Sequence, residues 1–337
     1  MPDNELKRSP HTPTLSVIVC TYDRYDVLDG AIQSLVRQSL SDIEIIVVDN
    51  SPDQQRAQLH ARRYADFPSV TYVLEARAGL SRARNAGIRA SHGSLIAFID
   101  DDAVPDPDWA REVQATFSEF PGDVGVVGGP AVARWQTPRP EWLTDKLLSY
   151  LSIVDWGGEQ RELRAGEWLA GCNIAFRRTM LDAVGGFSEA LGRTGAAGLL
   201  SNEETQVVDL IRANGGLVVY NPRARVEHII SAGRIDELWF YRRAAWQAVS
   251  DFLSDASKSR EHAHKVLERF GHVSTASSPT GTEERVSTVY NIVLACLAGE
   301  AVFGAEHSGG RGGSRLTRNL KTLPKKAIKK IRSAISR

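Results

Sequence analysis

Apolar residues in the first hundred positions come in short unbroken runs. LSVIVC (15–20), IEIIVVD (43–49), VTYVL (70–74) and SLIAFID (94–100) each read as a strand buried on both faces. Between the first two runs the apolar period lengthens to that of a helix, with Val27, Ile32, Leu35 and Val36 on one face. Residues 52–66 are polar, and Leu80–Ala90 reads as a helix. Apolar strands alternating with helices predict a doubly wound, mostly parallel sheet of the α/β class, covered on both faces.

The second half is less regular. Residues 123–135 predict one or two strands, and 166–178 a strand, a turn and a helix start. A short helix at 178–187 is stopped by Gly185-Gly186. Residues 201–216 predict a helix with Ser201 or Asn202 as N-cap and acids in its first turn; 217–222 is a further strand. Residues 236–270 and 283–304 read as helices joined by a Ser/Pro/Gly linker, and Gly309–Gly313 as a flexible break.

In parallel sheets ligands bind beyond the carboxyl ends of the strands. There the sequence places Thr21-Tyr22-Asp23, Asp49-Asn50-Ser51 and Asp100-Asp101-Asp102. Three adjacent carboxylates repel one another, so the triplet calls for a positive partner. Asp100 and Asp102, one residue apart, can share a face and hold a hard cation, Mn²⁺ or Mg²⁺, against a diphosphate. An acidic turn capping a helix at 106–119 through Asp106 or Asp108 is the plainer reading.

Tyr22 can stack on a nucleobase and Asp23 can accept from base or ribose, or cap the following helix. Asp49 reads as a nucleotide contact or an Asx turn. Arg77, Arg82 and Arg84 suit a diphosphate or lie on a solvated helix face. No phosphate-cradling P-loop and no GxGxxG are present, which argues against Walker-type NTPases and ordinary dinucleotide binders.

Charge changes the picture only at the end of the chain. Lys/Arg and Asp/Glu balance at 41 each over 337 residues, yet residues 311–337 carry ten Lys/Arg and no acid, leaving the rest about ten charges negative. Leu316, Leu320 and Leu323, then Ala327, Ile328, Ile331 and Ile335, are interleaved with these bases as in an amphipathic helix lying on anionic lipid. A general nucleic-acid binder is disfavoured. Three scattered cysteines, Cys20, Cys172 and Cys296, predict reduced thiols in the cytoplasm. The N-terminus has no signal-peptide pattern, and 286–304 is broken by Asn291 and Glu300, so its longest apolar run is far short of the ~20 residues a spanning helix needs.

The motifs 15–53, 79–109, 169–192, 202–216 and 219–228, in that order, resemble the family 2 glycosyltransferases of GT-A fold over about Thr14 to Ala245. Residues 1–13, polar with three prolines, read as a flexible lead-in, 236–308 as a helical extension and 309–337 as the basic tail. The resemblance implies 14–125 as a nucleotide-sugar-binding half and 126–235 as an acceptor-binding and catalytic half. It implies Thr21, Tyr22, Asp23, Asp49, Arg77, Arg84 and Asp100 at the nucleotide, and Asp101, Gly171, Cys172 and Asn173 near donor sugar and acceptor. Asp102, with Asp100 and His228, would hold Mn²⁺ or Mg²⁺. Glu203-Glu204 stand where the family has Glu-Asp, so Glu204 is the expected general base, with Glu203 as the alternative.

The implied reaction is an inverting, metal-dependent transfer from a nucleoside-diphosphate sugar, UDP-sugar foremost, to a glycan or lipid-linked acceptor. It would serve cell-surface polysaccharide synthesis on the inner membrane face. Competing readings are a nucleotidyltransferase making sugar nucleotides and a silent sugar-nucleotide binder. Trp135, Trp142, Trp156 and Trp168 fall in the acceptor half and read first as packing, with stacking on a sugar as the alternative.

Overall fold

A computed structural model describes residues 13–194, 198–271 and 281–306. The basic tail and all but Pro13 of the lead-in lie outside the described residues. The chain divides into two compact units, Met1–Trp239 and Phe240–Arg337.

The first unit runs β1 (Leu15–Thr21), α1 (Tyr25–Val36), β2 (Ile43–Asp49), α2 (Gln54–Ala61), β3 (Val70–Leu74), α3 (Leu80–Ala90) and β4 (Leu95–Asp100). It continues with β5 (Ala103–Pro105), α4 (Trp109–Glu119), β6 (Val124–Gly128), β7 (Ala131–Trp135), β8 (Arg161–Glu162) and β9 (Asn173–Arg177). Then come α5 (Arg178–Ala183), α6 (Glu203–Ala213), β10 (Leu217–Tyr220) and β11 (Val226–Ile230).

An eight-stranded sheet has the order β3-β2-β1-β4-β9-β6-β10-β8. β3, β2, β1 and β4 are parallel neighbours, and β9 runs antiparallel between β4 and β6. Because alternate strand residues face opposite ways, β1 feeds two cores. Val17 and Val19 pack with Leu28, Ile32 and Trp109 on one face. Ile18 packs with Ala83, Phe98, Phe176 and Val207 on the other. Each fully buried aliphatic chain is worth about 1.5–3 kcal/mol relative to exposure. α3 lies close on β1 because Gly87 has no side chain; a Cβ there would collide with Ile18.

Register sets the rim. Thr21 pairs with Asp49, Asp49 with Leu74, and Cys20 with Asp100, so the expected polar strand ends share one edge. A second sheet of order β5-β11-β7 closes over that edge, and its antiparallel pairing sets His228 opposite Ala103.

Some local expectations change. The polar stretch after β2 contains α2, capped by Asp53, whose carboxylate accepts from Gln55 N (3.1 Å) and Arg56 N (3.0 Å). Only Ala57 of α2 is buried, so it left no apolar period to read. The strand expected at the start of 166–178 is absent; β9 begins at Asn173 and runs straight into α5. Asn202 and Asp108 do stand at the N-cap positions of α6 and α4, but without the expected side-chain bond. Arg24, not Asp23, precedes α1. Asp106 pairs with Arg225 at 2.9 Å.

The second unit contains α8 (Ala256–Gly271), α9 (Thr282–Glu306) and most of α7 (Glu237–Ser254). Ala248, Phe252, Val293, Leu294 and Leu297 form its core, with Val249 packed against it. Tyr290 donates to Asp251 at 2.6 Å. Leu253, near the end of α7, is exposed. Cys296 is exposed rather than buried, and all three cysteines are free thiols. Among the described residues no helix is long and apolar enough to cross a membrane.

Candidate active site

The aspartate triplet is met first by arginines. Asp101 is buried, accepts from Thr21 Oγ1 at 2.8 Å and pairs with Arg24 Nη1 at 2.9 Å. Asp102 is buried, and its Oδ2 takes Arg24 Nη2 at 2.6 Å and lies 3.3 Å from Arg234 Nη1. Its Oδ1 has no hydrogen-bond donor and lies 3.3 Å from His228 Nε2. The backbone fixes that meeting, because Ile229 N donates to Asp102 O at 2.8 Å across the β5–β11 pairing. Asp100 stays partly open, with its side chain 35% exposed.

These partners split the triplet's acidity. Burial pushes Asp101 up, to about 7, against the pull of Arg24. Burial also works against charge on Asp102, but the cations packed against it, Arg234 and Arg24 beside the His228 ring, outweigh it and hold the carboxyl well below its usual range. Arg24 and Arg234 were not anticipated. Arg24 directly follows Tyr22 and Asp23 but has no pattern of its own to mark it, and Arg234 carries no signal in the sequence.

A second charged cluster faces the first across the rim. Arg84, on α3, is buried and its Nη1 donates to Glu203 Oε1 at 2.8 Å. The same Nη1 lies 3.9 Å from Glu204 Oε2, while Nη2 lies 3.4 Å from Gly171 O and 4.0 Å from Asp100 Oδ1. Phe98 and Phe187 lie under the guanidinium, at 5.6 and 5.2 Å. Glu203 is buried; its Oε1 takes Arg84, and its Oε2 has no hydrogen-bond partner. Glu204 is 19% exposed and keeps an unpartnered Oε2. Burial and the like charge of Glu203 raise Glu204 to about 8, with Arg84 opposing. Gly171 leaves the room for this group, since a Cβ there would lie 2.8 Å from Arg84 and 3.3 Å from Glu204.

On the β1–β2 side, Tyr22 is half-buried, while exposed Asp23 has φ +56° and pairs with Arg56. Asp23 N donates to Ser51 Oγ at 2.7 Å. Asp49 is fully buried and accepts from Tyr25 Oη (2.8 Å), Tyr72 Oη (2.6 Å) and Ser51 N (2.9 Å). Asn50, also unanticipated, holds the loop before α3 through Glu75 O (2.6 Å), Arg77 O (2.8 Å) and Gly79 N (2.7 Å). Arg77 is exposed and lies on Glu75; Arg82 pairs with Glu189.

Cys172 and Asn173, expected near donor sugar and acceptor, do not open onto the rim. Cys172 is buried, and burial pushes its thiol well up. Asn173 accepts from Trp109 Nε1 at 2.8 Å and donates to Pro130 O (3.0 Å) and Ala224 O (2.8 Å), so its amide is spent on holding the two sheets together. Trp156 and Trp168 pack at the core's edge, where Trp156 Nε1 donates to Trp168 O at 2.8 Å.

Asp100, Asp102 and His228 each offer a ligand atom within 4.8 Å of the others. The buried, donor-less Oδ1 of Asp102 fits a cation there, because an orphaned carboxylate oxygen otherwise forfeits about 1–3 kcal/mol. Two carboxylates and an imidazole form a donor set that can hold a divalent cation.

The description "Glycosyl transferase family 2" matches residues 16–185. The glucosyl-dolichyl phosphate glucuronosyltransferase of Haloferax volcanii is 29% identical over 248 residues, covering 72% of this chain and 77% of that protein. The succinoglycan biosynthesis protein ExoM of Rhizobium meliloti is 26% identical over 234 residues, 68% of this chain and 71% of the relative. A solved mannosyltransferase from Pyrobaculum calidifontis, in complex with GDP-Man and Mn²⁺, is alike in fold at a TM-score of 0.50 and 20% identity. That likeness covers 95% of this chain and 81% of the other. The fold is GT-A, with a mostly parallel central sheet and a C-terminal helical region.

Proposed function

The chain belongs to glycosyl transferase family 2, and on that premise we propose that it transfers a sugar, with inversion, from a nucleoside-diphosphate sugar to a hydroxyl of a glycan or lipid-linked acceptor. The observation that carries the reading is the donor-less Asp102 Oδ1 facing His228 across the rim from a carboxylate of raised affinity for protons, Glu204.

Asp100, Asp102 and His228 would hold a divalent cation, Mn²⁺ or Mg²⁺. When bound, that ion supplies charge stabilisation to the departing diphosphate. The remaining work belongs to the chain. Tyr22, with Thr21 and Asp23, borders the base, and Asp49 fixes that border from behind by holding Tyr25, Tyr72 and Ser51. Arg84 brings a permanent positive charge beside Asp100, and Glu203 keeps it oriented. Glu204, whose side chain stays partly exposed, takes the proton from the acceptor hydroxyl as it attacks. One displacement with the base opposite the leaving group inverts the anomeric centre.

Two relatives support the acceptor class, one named for a dolichyl phosphate substrate and one for succinoglycan biosynthesis. The ten bases of 311–337 support docking on an anionic membrane face, and a chain ending at residue 310 is expected to lose liposome pelleting. The deciding experiment incubates UDP-, GDP- and dTDP-sugars with Mn²⁺ or Mg²⁺, with and without a membrane extract. Release of nucleoside diphosphate that depends on extract supports transfer. Pyrophosphate formed from NTP and sugar phosphate, or binding without turnover, would overturn it.

A further inference from the structure

We infer that Arg234 is the resident cation of this site, competing with the divalent ion for His228 and Asp102 until a donor diphosphate draws it away. The inference rests on the proposed metal-and-donor reading and adds a residue and an order of events to it.

The argument starts from what an arginine can do. Its N–H groups only donate. Arg234 Nη1 lies 3.1 Å from His228 Nε2, within hydrogen-bond reach, and forms an ion pair with Asp102 Oδ2 at 3.3 Å. His228 Nε2 therefore presents its lone pair to Arg234. A ring nitrogen has one lone pair, and it is the one His228 would give to a metal. The same nitrogen cannot serve both. Asp102 Oδ1, 3.3 Å away, faces this lone pair and receives no hydrogen bond. So Arg234 satisfies half of what a cation would satisfy, and leaves the other half open.

Electrostatics set the direction. A guanidinium within about 5 Å of a doubly charged ion repels it even at an effective dielectric constant near 20. Arg24 and Arg193 already add positive charge around Arg234. A cation bound at His228 therefore displaces Arg234, and a diphosphate beside it provides oxygens that suit the planar guanidinium. Arg234 can respond. It ends a short 3-10 turn (Ala232–Arg234) after β11, and its side chain is 15% exposed. By linkage, donor diphosphate and metal must then strengthen each other's binding, with Arg234 as part of the coupling. Arg24 differs, because it holds Asp101 and Asp102 Oδ2 and leaves His228 alone.

The test titrates the full chain with Mn²⁺ by electron paramagnetic resonance, first without nucleotide, then with UDP or GDP present. Arg234→Met keeps length and removes the charge. It is expected to bind Mn²⁺ about ten-fold tighter than the parent without nucleotide, and to lose most of the strengthening that nucleotide confers. A purely structural Arg234 would instead weaken Mn²⁺ binding on removal. Equal or weaker Mn²⁺ binding, or unchanged coupling, overturns the inference. Should Arg234→Met fail to fold, Arg234→Lys is read the same way. A single ammonium cannot match the guanidinium's geometry at two acceptors, so a gain of about three-fold is expected and no gain overturns the inference. A parent chain that binds both ligands while the variants fail these expectations refutes the role of Arg234 alone; a parent that binds neither refutes the site's reading with it.

Discussion

Asp49 and Asp102 stand on either side of β1, both at the rim and both essentially without solvent exposure. Asp49 has its oxygens filled by two tyrosine hydroxyls and a backbone N–H. Asp102 is crowded by cations on one oxygen and bare on the other. Burial and position are the same, so neither separates a scaffold acid from a working one. What separates them is incomplete satisfaction. A bare buried oxygen costs about 1–3 kcal/mol, so one set between candidate ligands at the rim marks where a cation would complete it.

The sharpest way to break this contrast is Asp102→Asn. Turnover is expected to fall by about a thousand-fold or more, with Mn²⁺-dependent donor binding lost, because the side chain carries one proposed ligand oxygen. Steady-state rates and Mn²⁺ titration read it; near-parental turnover would place Asp102 with Asp49 as scaffold.

Next, Glu204→Gln is expected to cost about 10²–10⁴ in kcat while donor affinity stays within a few-fold. Its pH profile sharpens the point. With Glu204 raised to about 8, the base form gains population as pH rises, so log(kcat/KM) should climb with unit slope below about 8 and flatten above it. Stability should move the other way. The native state keeps a proton there that the unfolded chain releases, so stability declines as pH rises from the ordinary carboxylate range toward 8. Gln removes both trends, read by rate profiles and urea melts.

For the scaffold acid the expectation is reversed. Asp49→Asn should cost about 2 kcal/mol of stability, since an amide NH₂ would oppose one of three donors, and urea denaturation measures it. The smallest effect belongs to Arg77→Ala. Its guanidinium lies exposed on Glu75, so the melting midpoint should not move.

Much of the sheet is legible in residues 14–125 because continuous apolar runs have few other uses in a soluble chain. α2 was not legible, since a helix that buries one alanine leaves no stripe. The rim acids could be listed from strand ends, but their partners could not. Arg24 meets Asp101 and Asp102 across β1 and β4, and Arg234 meets Asp102 through a strand pairing far along the chain. Nothing local announces such pairs. The choice between Glu203 and Glu204 was equally closed to sequence. Successive helix residues point about 100° apart, so at the start of α6 one carboxylate turns onto Arg84 and the next toward the rim. Asn173, too, looked like a site residue and proves to be a tie between sheets.

Arg84 belongs to α3, and its closest carboxylate belongs to α6. Chimeras that join the front of this chain to the back of a relative must therefore bring a matched acid at position 203. Without it, a buried guanidinium loses its closest counter-charge, at a cost of about 3–5 kcal/mol, enough to make many such hybrids insoluble before any question of donor or acceptor choice arises.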